Sequence, residues 1–237
     1  SFSNLIDTGE IIVLKDSFDE IVDWVDYAVY KFNVNTNELT YSFSIHAEPY
    51  GIAWDGAYLW IGSGYGDIYG YDLNGNLIGS FSDQHSDYSA ITFNGENFIL
   101  RLPWDPYAPF YEVDYTGTVV NMFYGLNAAD TVSTYEIVQT GYNQLCGVDF
   151  VNNRIVEISL DDNDGTYSVV GEMDFEFLDW DYSLAFNGNL WTQTWGGQLY
   201  EVEYHGSAWG LEWLELSAYS GDIPANQSET IAVEFFG

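Results

Sequence analysis

The stretch Tyr50–Phe81 reads YGIAWDGAYLWIGSGYGDIYGYDLNGNLIGSF, and the fold is decided there. An apolar run, Gly51–Trp54, meets the turn pair Asp55-Gly56, and a second run, Tyr58–Ser63, leads into a glycine-rich loop. Asp67–Asp72 then alternates, turns at Leu73-Asn74-Gly75-Asn76, and gives way to a fourth run ending at Phe81. Short aromatic and β-branched runs punctuated by Gly, Asn and Asp are the pattern of antiparallel strands. Asp-Gly and Asn-Gly pairs supply the positive φ angles that two-residue hairpins need. Four strands joined this way make one small twisted sheet.

The same order recurs on both sides. Tyr88–Phe123 repeats it with Asn94-Gly95 at the first turn, and Tyr182–Leu216 with Asn187-Gly188. Two degenerate copies lie over Tyr135–Met173, with Asp164-Gly165 at the third-to-fourth hairpin, and over the first 45 residues, which carry an acidic insert, Ser17–Asp26. Repeat starts at Tyr50, Tyr88, Tyr135 and Tyr182 give a period of roughly 40–50 residues, that of a β-propeller blade. The expected fold is therefore all-β: a five-bladed β-propeller of four-stranded antiparallel blades over 1–217. The blades fall at about 2–45, 50–83, 88–125, 135–173 and 182–217. A β-sandwich uses similar strands, but repetition of whole four-strand units argues against it.

Composition narrows the function. The 237 residues hold 37 Asp+Glu against 4 Lys+Arg, a formal charge of −33, with 19% aromatics. An acidic disordered tail lacks such aromatics, and a surface this poor in cations cannot neutralise phosphates or anionic lipid. Nucleic acid is excluded as a partner, and no apolar run is long enough for membrane insertion by a helix. The single cysteine, Cys146, lies in an apolar stretch and reads as a buried structural thiol. The chain opens SFSNLIDTG, with neither a basic n-region nor an apolar h-region. The expectation is a processed segment of a longer secreted chain.

In the grammar G-I-A-W-D-G, L-W-I, G-D-I-Y-G-Y-D and G-N-L-I, the chain resembles the β-propeller repeats of secreted bacterial multidomain surface proteins. That resemblance implies an extracellular or cell-surface location. Residues 218–237 break the period. With Trp213-Leu214, Ser220-Gly221, Ile223-Pro224-Ala225 and Thr230–Val233, they resemble the opening of an immunoglobulin-like module. The alternative is a C-terminal extra strand over 229–236, which needs a partner: a blade, the next domain, or a neighbouring subunit by self-assembly.

Candidate chemistry is sparse. Asp55 and Asp149 come closest to a buried catalytic carboxylate, but Asp55 is the residue an Asp-Gly turn requires and Asp149 has no visible partner for glycoside hydrolysis. No nucleophile-elbow, zinc-protease or P-loop pattern occurs, and His46, His85 and His205 lack metal spacing. Asp161, Asp162 and Asp164 crowd one hairpin with hard oxygen ligands that suit calcium, although a solvated acidic surface explains them too. No cofactor is required. Tyr65, Trp104 and Trp195 occupy the equivalent second-to-third-strand loop of their repeats. Such a set suits stacking on sugars or docking a protein loop, or else capping the core. The expectation is a non-enzymatic binding, adhesion or assembly module engaging protein or glycan at the cell surface. Alternatives are a carbohydrate-binding lectin-like propeller, and a filament subunit joined through its C-terminal strand.

Overall fold

The computed structural model describes residues 2–3, 10–16, 27–33, 38–45, 49–63, 66–82, 90–102, 105–126, 130–174, 183–186, 189–193, 199–202, 204, 214–216 and 233–235. The chain divides into two compact units, Ser1–Tyr204 and His205–Gly237.

The first unit is a succession of antiparallel meanders. Strands β1 (Phe2–Ser3), β2 (Glu10–Asp16), β3 (Tyr27–Asn33) and β4 (Glu38–Ile45) form one sheet in chain order. β5 (Pro49–Trp54), β6 (Leu59–Ser63), β7 (Asp67–Tyr71) and β8 (Leu77–Ser82) form the second. The third meander comprises β9 (Ala90–Phe93), β10 (Phe98–Arg101), β11 (Phe110–Val113) and β12 (Val119–Gly125). The fourth comprises β13 (Thr134–Gly141), β14 (Gln144–Asp149), β15 (Arg154–Asp161) and β16 (Thr166–Asp174). β17 (Ser183–Phe186), β18 (Leu190–Gln193) and β19 (Leu199–Val202) form a three-stranded sheet. The first strands of the meanders neighbour one another: β1 beside β5, β5 beside β9, β9 beside β13, β13 beside β17, and β17 beside β1.

The inner strands of the sheets inside the series are buried on both faces, and β6 (LWIGS) is buried at every position. Its alternate residues serve different cores. Leu59 and Ile61 pack with Val29, Phe43 and Ile45 of the first sheet, whereas Trp60 packs with Phe81, Ile91, Phe98 and Leu100 toward the third. A third core, with Ile99, Phe110, Ile137, Leu145 and Tyr167, joins meanders three and four. A fourth, with Val138, Cys146, Val148, Leu184 and Leu190, joins meander four to β17–β19.

The first turns differ from the two-residue hairpins expected. Trp54 pairs with Leu59 and Phe93 with Phe98, leaving four-residue loops. The reason is side-chain capping. Asp55 Oδ1 accepts the N–H groups of Ala57 and Tyr58 at 2.8 and 2.7 Å, and Asn94 Oδ1 those of Glu96 and Asn97 at 3.0 and 2.8 Å. The cap stabilises the longer loop in place of a tight primed turn. Asn187-Gly188 lies outside the described residues.

Successive meanders also interlock through their third-to-fourth hairpins. Gly75, at φ +84°, sits where a Cβ would lie 2.6 Å from Phe43 Cβ of the preceding sheet. Gly117, at φ +79°, sits where a Cβ would lie 2.6 Å from the Ser82 carbonyl oxygen. Both need glycine twice over, for the left-handed backbone and for the close approach. In the next hairpin the contact becomes a ladder: the Gly165 carbonyl accepts the Tyr124 N–H at 2.9 Å and that of Tyr167 accepts Leu126 N–H at 3.0 Å. β12 and β16 thereby pair in parallel, making meanders three and four one continuous eight-stranded sheet.

In the second unit, β20 (Leu214–Leu216) pairs antiparallel with β21 (Val233–Phe235), Leu214 opposite Phe235 and Leu216 opposite Val233. The alternating C-terminal run thus has a strand partner within the chain, and that partner is the segment read from sequence as the close of the fifth repeat.

Candidate functional site

Tyr65, Trp104 and Trp195 lie outside the described residues. Their chain positions fall in the β6–β7, β10–β11 and β18–β19 connections. The described flanks of the middle connection are anchored from below. Asp105 Oδ1 caps the Tyr107 N–H at 2.9 Å, leaving the Tyr107 ring exposed. Arg101, the last residue of β10, is 0% exposed. Its Nη2 donates to the carbonyls of Val132 at 2.6 Å and Pro106 at 3.2 Å, and its guanidinium lies 4.7 Å from the centroid of Phe110 and 5.7 Å from that of Tyr167. Burial holds this guanidinium below its ordinary pKa, against the pull of nearby Tyr167 and Asp105. Among the described residues Nε and Nη1 have no hydrogen-bond partner, and the group leans on carbonyls and ring faces.

The topologically equivalent residue of the next meander is Asp149, also 0% exposed. Its Oδ2 accepts from Arg154 Nε at 3.0 Å and Asn152 Nδ2 at 2.7 Å, and Arg154 pairs further with Glu172. This carboxylate is an anchor for the β14–β15 turn. Asp55 is equally committed: besides its cap, Oδ2 accepts from Trp60 Nε1 at 2.8 Å and Tyr115 Oη at 3.2 Å. Burial first, and the charge of Asp55 second, push the Tyr115 hydroxyl up to about 12.

The acidic hairpin shows the same use of oxygen. Asp161 Oδ1 accepts from Asn163 N–H at 2.8 Å, Asp162 Oδ2 accepts from Asn143 Nδ2, and Asp164 Oδ1 accepts from Thr166 N–H at 3.0 Å. All three side chains are exposed, and the Asn163 hydrogen bonds lower the Asp161 pKa. Among the described residues, no three His, Cys, Asp or Glu side chains converge to hold a metal. His46, His85 and His205 lie outside those residues.

Cys146 is 1% exposed, and burial together with Glu157 pushes its thiol up to about 12, which suppresses the thiolate. Beside it, the Tyr204 hydroxyl donates to Glu157 Oε1 at 2.7 Å and lies 3.2 Å from Thr140 Oγ1. Burial raises its pKa. Tyr115 and Tyr204 are the two clasps that sequence reasoning passed over. Both follow an acidic residue and precede a glycine by two, in Asp114-Tyr115-Thr116-Gly117 and Glu203-Tyr204-His205-Gly206, and this recurrence was the available signal.

No protein-family model matches the chain, and no curated protein matches it. Solved structures do. A glutaminyl cyclase of Myxococcus xanthus is similar over 90% of this chain and 87% of its own, at 11% identity and a TM-score of 0.54. A chain of a mitotic checkpoint complex is similar over 87% of this chain and 76% of its own, at 12% identity and 0.47. A protein of unknown function from Bacteroides caccae is similar over 83% and 90%, at 12% and 0.47. At these identities the likeness is one of fold, and the fold is one that an enzyme also uses.

Proposed function

We propose that the first unit is a five-bladed β-propeller acting as a non-enzymatic binding module of a secreted or cell-surface protein. Five successive meanders whose first strands neighbour one another in ring order support the propeller. The observation that carries the binding role is the commitment of carboxylates. Asp55, Asp72, Asp114, Asp149, Asp161 and Asp164 each accept turn or anchor hydrogen bonds. Where an aspartate shift is resolved, at Asp72, Asp114 and Asp161, it is downward through those bonds, opposite to what a general acid needs. The partner, protein or glycan, meets the aromatic connections carrying Tyr65, Trp104 and Trp195. The acidic coat keeps the chain soluble and attracts cations, calcium among them, without requiring a cofactor.

Fold likeness to the Myxococcus glutaminyl cyclase favours a second reading, an enzyme of that activity. One experiment separates the two. The purified chain is assayed for glutaminyl cyclase activity and, in parallel, for binding to an immobilised glycan array, with Trp104→Ala as comparison. Binding that Trp104→Ala abolishes, without turnover, is the expected outcome; cyclase turnover overturns the proposal.

A further inference from the structure

β12 carries the longest exposed apolar row of the described residues. A bulge opposite the Glu112–Val113 step leaves both Val119 and Val120 exposed. Met122 and Tyr124 follow on one face, with the Tyr124 hydroxyl 3.6 Å from Met122 Sδ, and Leu126 lies just beyond. Val120, Tyr124 and Leu126 are 51%, 51% and 61% exposed, while Phe123 between them is 1% exposed in the core behind. On the side away from β11, β16 and the turn before it bond only to Tyr124–Leu126 among the described residues. Along Val119–Met122 the strand has no neighbour there among the described residues, and Asn121 Oδ1 caps the Met122 N–H at 2.9 Å. Exposed apolar rows of this kind mark interaction surfaces.

Charge identifies the occupant. Asp114 precedes the row, and the exposed Asp161, Asp162 and Asp164 flank its far end, where the Gly165 carbonyl holds the Tyr124 N–H. Among the described residues no ion pair is made to them. Of the four basic residues, Arg101 is buried, Arg154 is paired with Asp149 and Glu172, and Lys15 and Lys31 belong to β2 and β3 of the first sheet. A second copy, itself at −33, is repelled. We propose that Val119–Leu126 docks an extended partner segment alternating lysine or arginine with aliphatic residues. Aliphatic side chains would cover the row and basic ones would meet the flanking aspartates. This goes beyond the binding reading above, whose partner meets the Tyr65, Trp104 and Trp195 connections, by adding a second surface.

The test is fluorescence anisotropy on the full chain at about 0.15 M salt, where exposed charges beyond ~8 Å are screened. The probe is a labelled octapeptide alternating lysine and valine, compared with octalysine and with an octapeptide alternating glutamate and valine. The expected result is binding at least about tenfold tighter than octalysine, with no binding of the glutamate peptide. A triple variant, Val120→Ser, Met122→Ser and Tyr124→Ser, should reduce the alternating peptide to the octalysine level. Met122→Lys alone, at an exposed position, should weaken it by repulsion while leaving the melt unchanged. Equal affinity for octalysine, or indifference to both variants, overturns the assignment of Val119–Leu126 as the docking row.

Discussion

Replacing Gly117 by alanine tests how the meanders interlock. At φ +79° an L-residue is strained, which by itself costs about 1–2 kcal/mol. The added Cβ would also lie 2.6 Å from the Ser82 carbonyl oxygen and 3.2 Å from Phe81 Cδ2. The first is backbone and cannot swing aside, so the hairpin must lift. Lifting disturbs Tyr115, whose ring packs 5.0 Å from Phe98 and 5.5 Å from Trp60 and whose hydroxyl reaches Asp55. A clash of this kind adds about 1–3 kcal/mol, for a total near 3 kcal/mol. Gly95 is the internal control: at φ +102° it has the same backbone strain but nothing within 4 Å of its Cβ. Gly95→Ala should therefore cost only about 1–2 kcal/mol. Urea melts followed by tryptophan fluorescence read the difference, and at about 2–4 °C per kcal/mol the two thermal midpoints should separate by several degrees. Equal losses for the two variants would refute the interlocking account.

Four further outcomes are expected. Tyr204→Phe removes the donor to the buried Glu157 and should cost about 1–3 kcal/mol in a denaturant melt, whereas a neutral result would mean that the clasp contributes nothing. Arg101→Lys loses the planar stacking on Phe110 and Tyr167 and the paired carbonyl contacts; it should destabilise by about 2–4 kcal/mol, and an unchanged melt would contradict the anchoring role. The pH limbs follow from the shifts: Tyr115, raised to about 12, contributes stability that is full below pH 10 and falls as pH rises toward 12, while Asp72, Asp114 and Asp161, lowered from 3.8, contribute stability lost as pH drops below 4. Tyr115→Phe should flatten the alkaline limb and Asp114→Asn part of the acid one. With −33 charges, the thermal midpoint should rise with calcium or high salt, and identical melts in chelator, calcium and salt would refute that.

Much of the fold was legible because it is locally encoded. Turn pairs at Asp55-Gly56, Asn94-Gly95 and Asp164-Gly165, with Leu73–Asn76, and the apolar runs between them mark strands whose neighbours in sequence are their neighbours in space. The misreadings are non-local. Whether Asp55-Gly56 makes a two- or a four-residue loop depends on where the aspartate oxygen points. The parallel join of β12 to β16 depends on how two meanders overlap, and the pairing of 214–216 with 233–235 on a segment that breaks the period. The site was less legible. Asp149 looks like candidate chemistry in sequence, and only its burial and partners reveal it as an anchor. Asp161 and Asp164 cap their turn and Asp162 accepts from Asn143 of the β13–β14 hairpin, and spacing alone does not distinguish these uses from binding a cation.

The most direct test of the proposal that the five meanders close into a ring is a set of inter-strand nuclear Overhauser contacts between backbone protons of the first strands. The account expects contacts between β1 and β17 as well as between β1 and β5, β5 and β9, β9 and β13, and β13 and β17. Contacts along the series with none between β1 and β17 would describe an open array and contradict it.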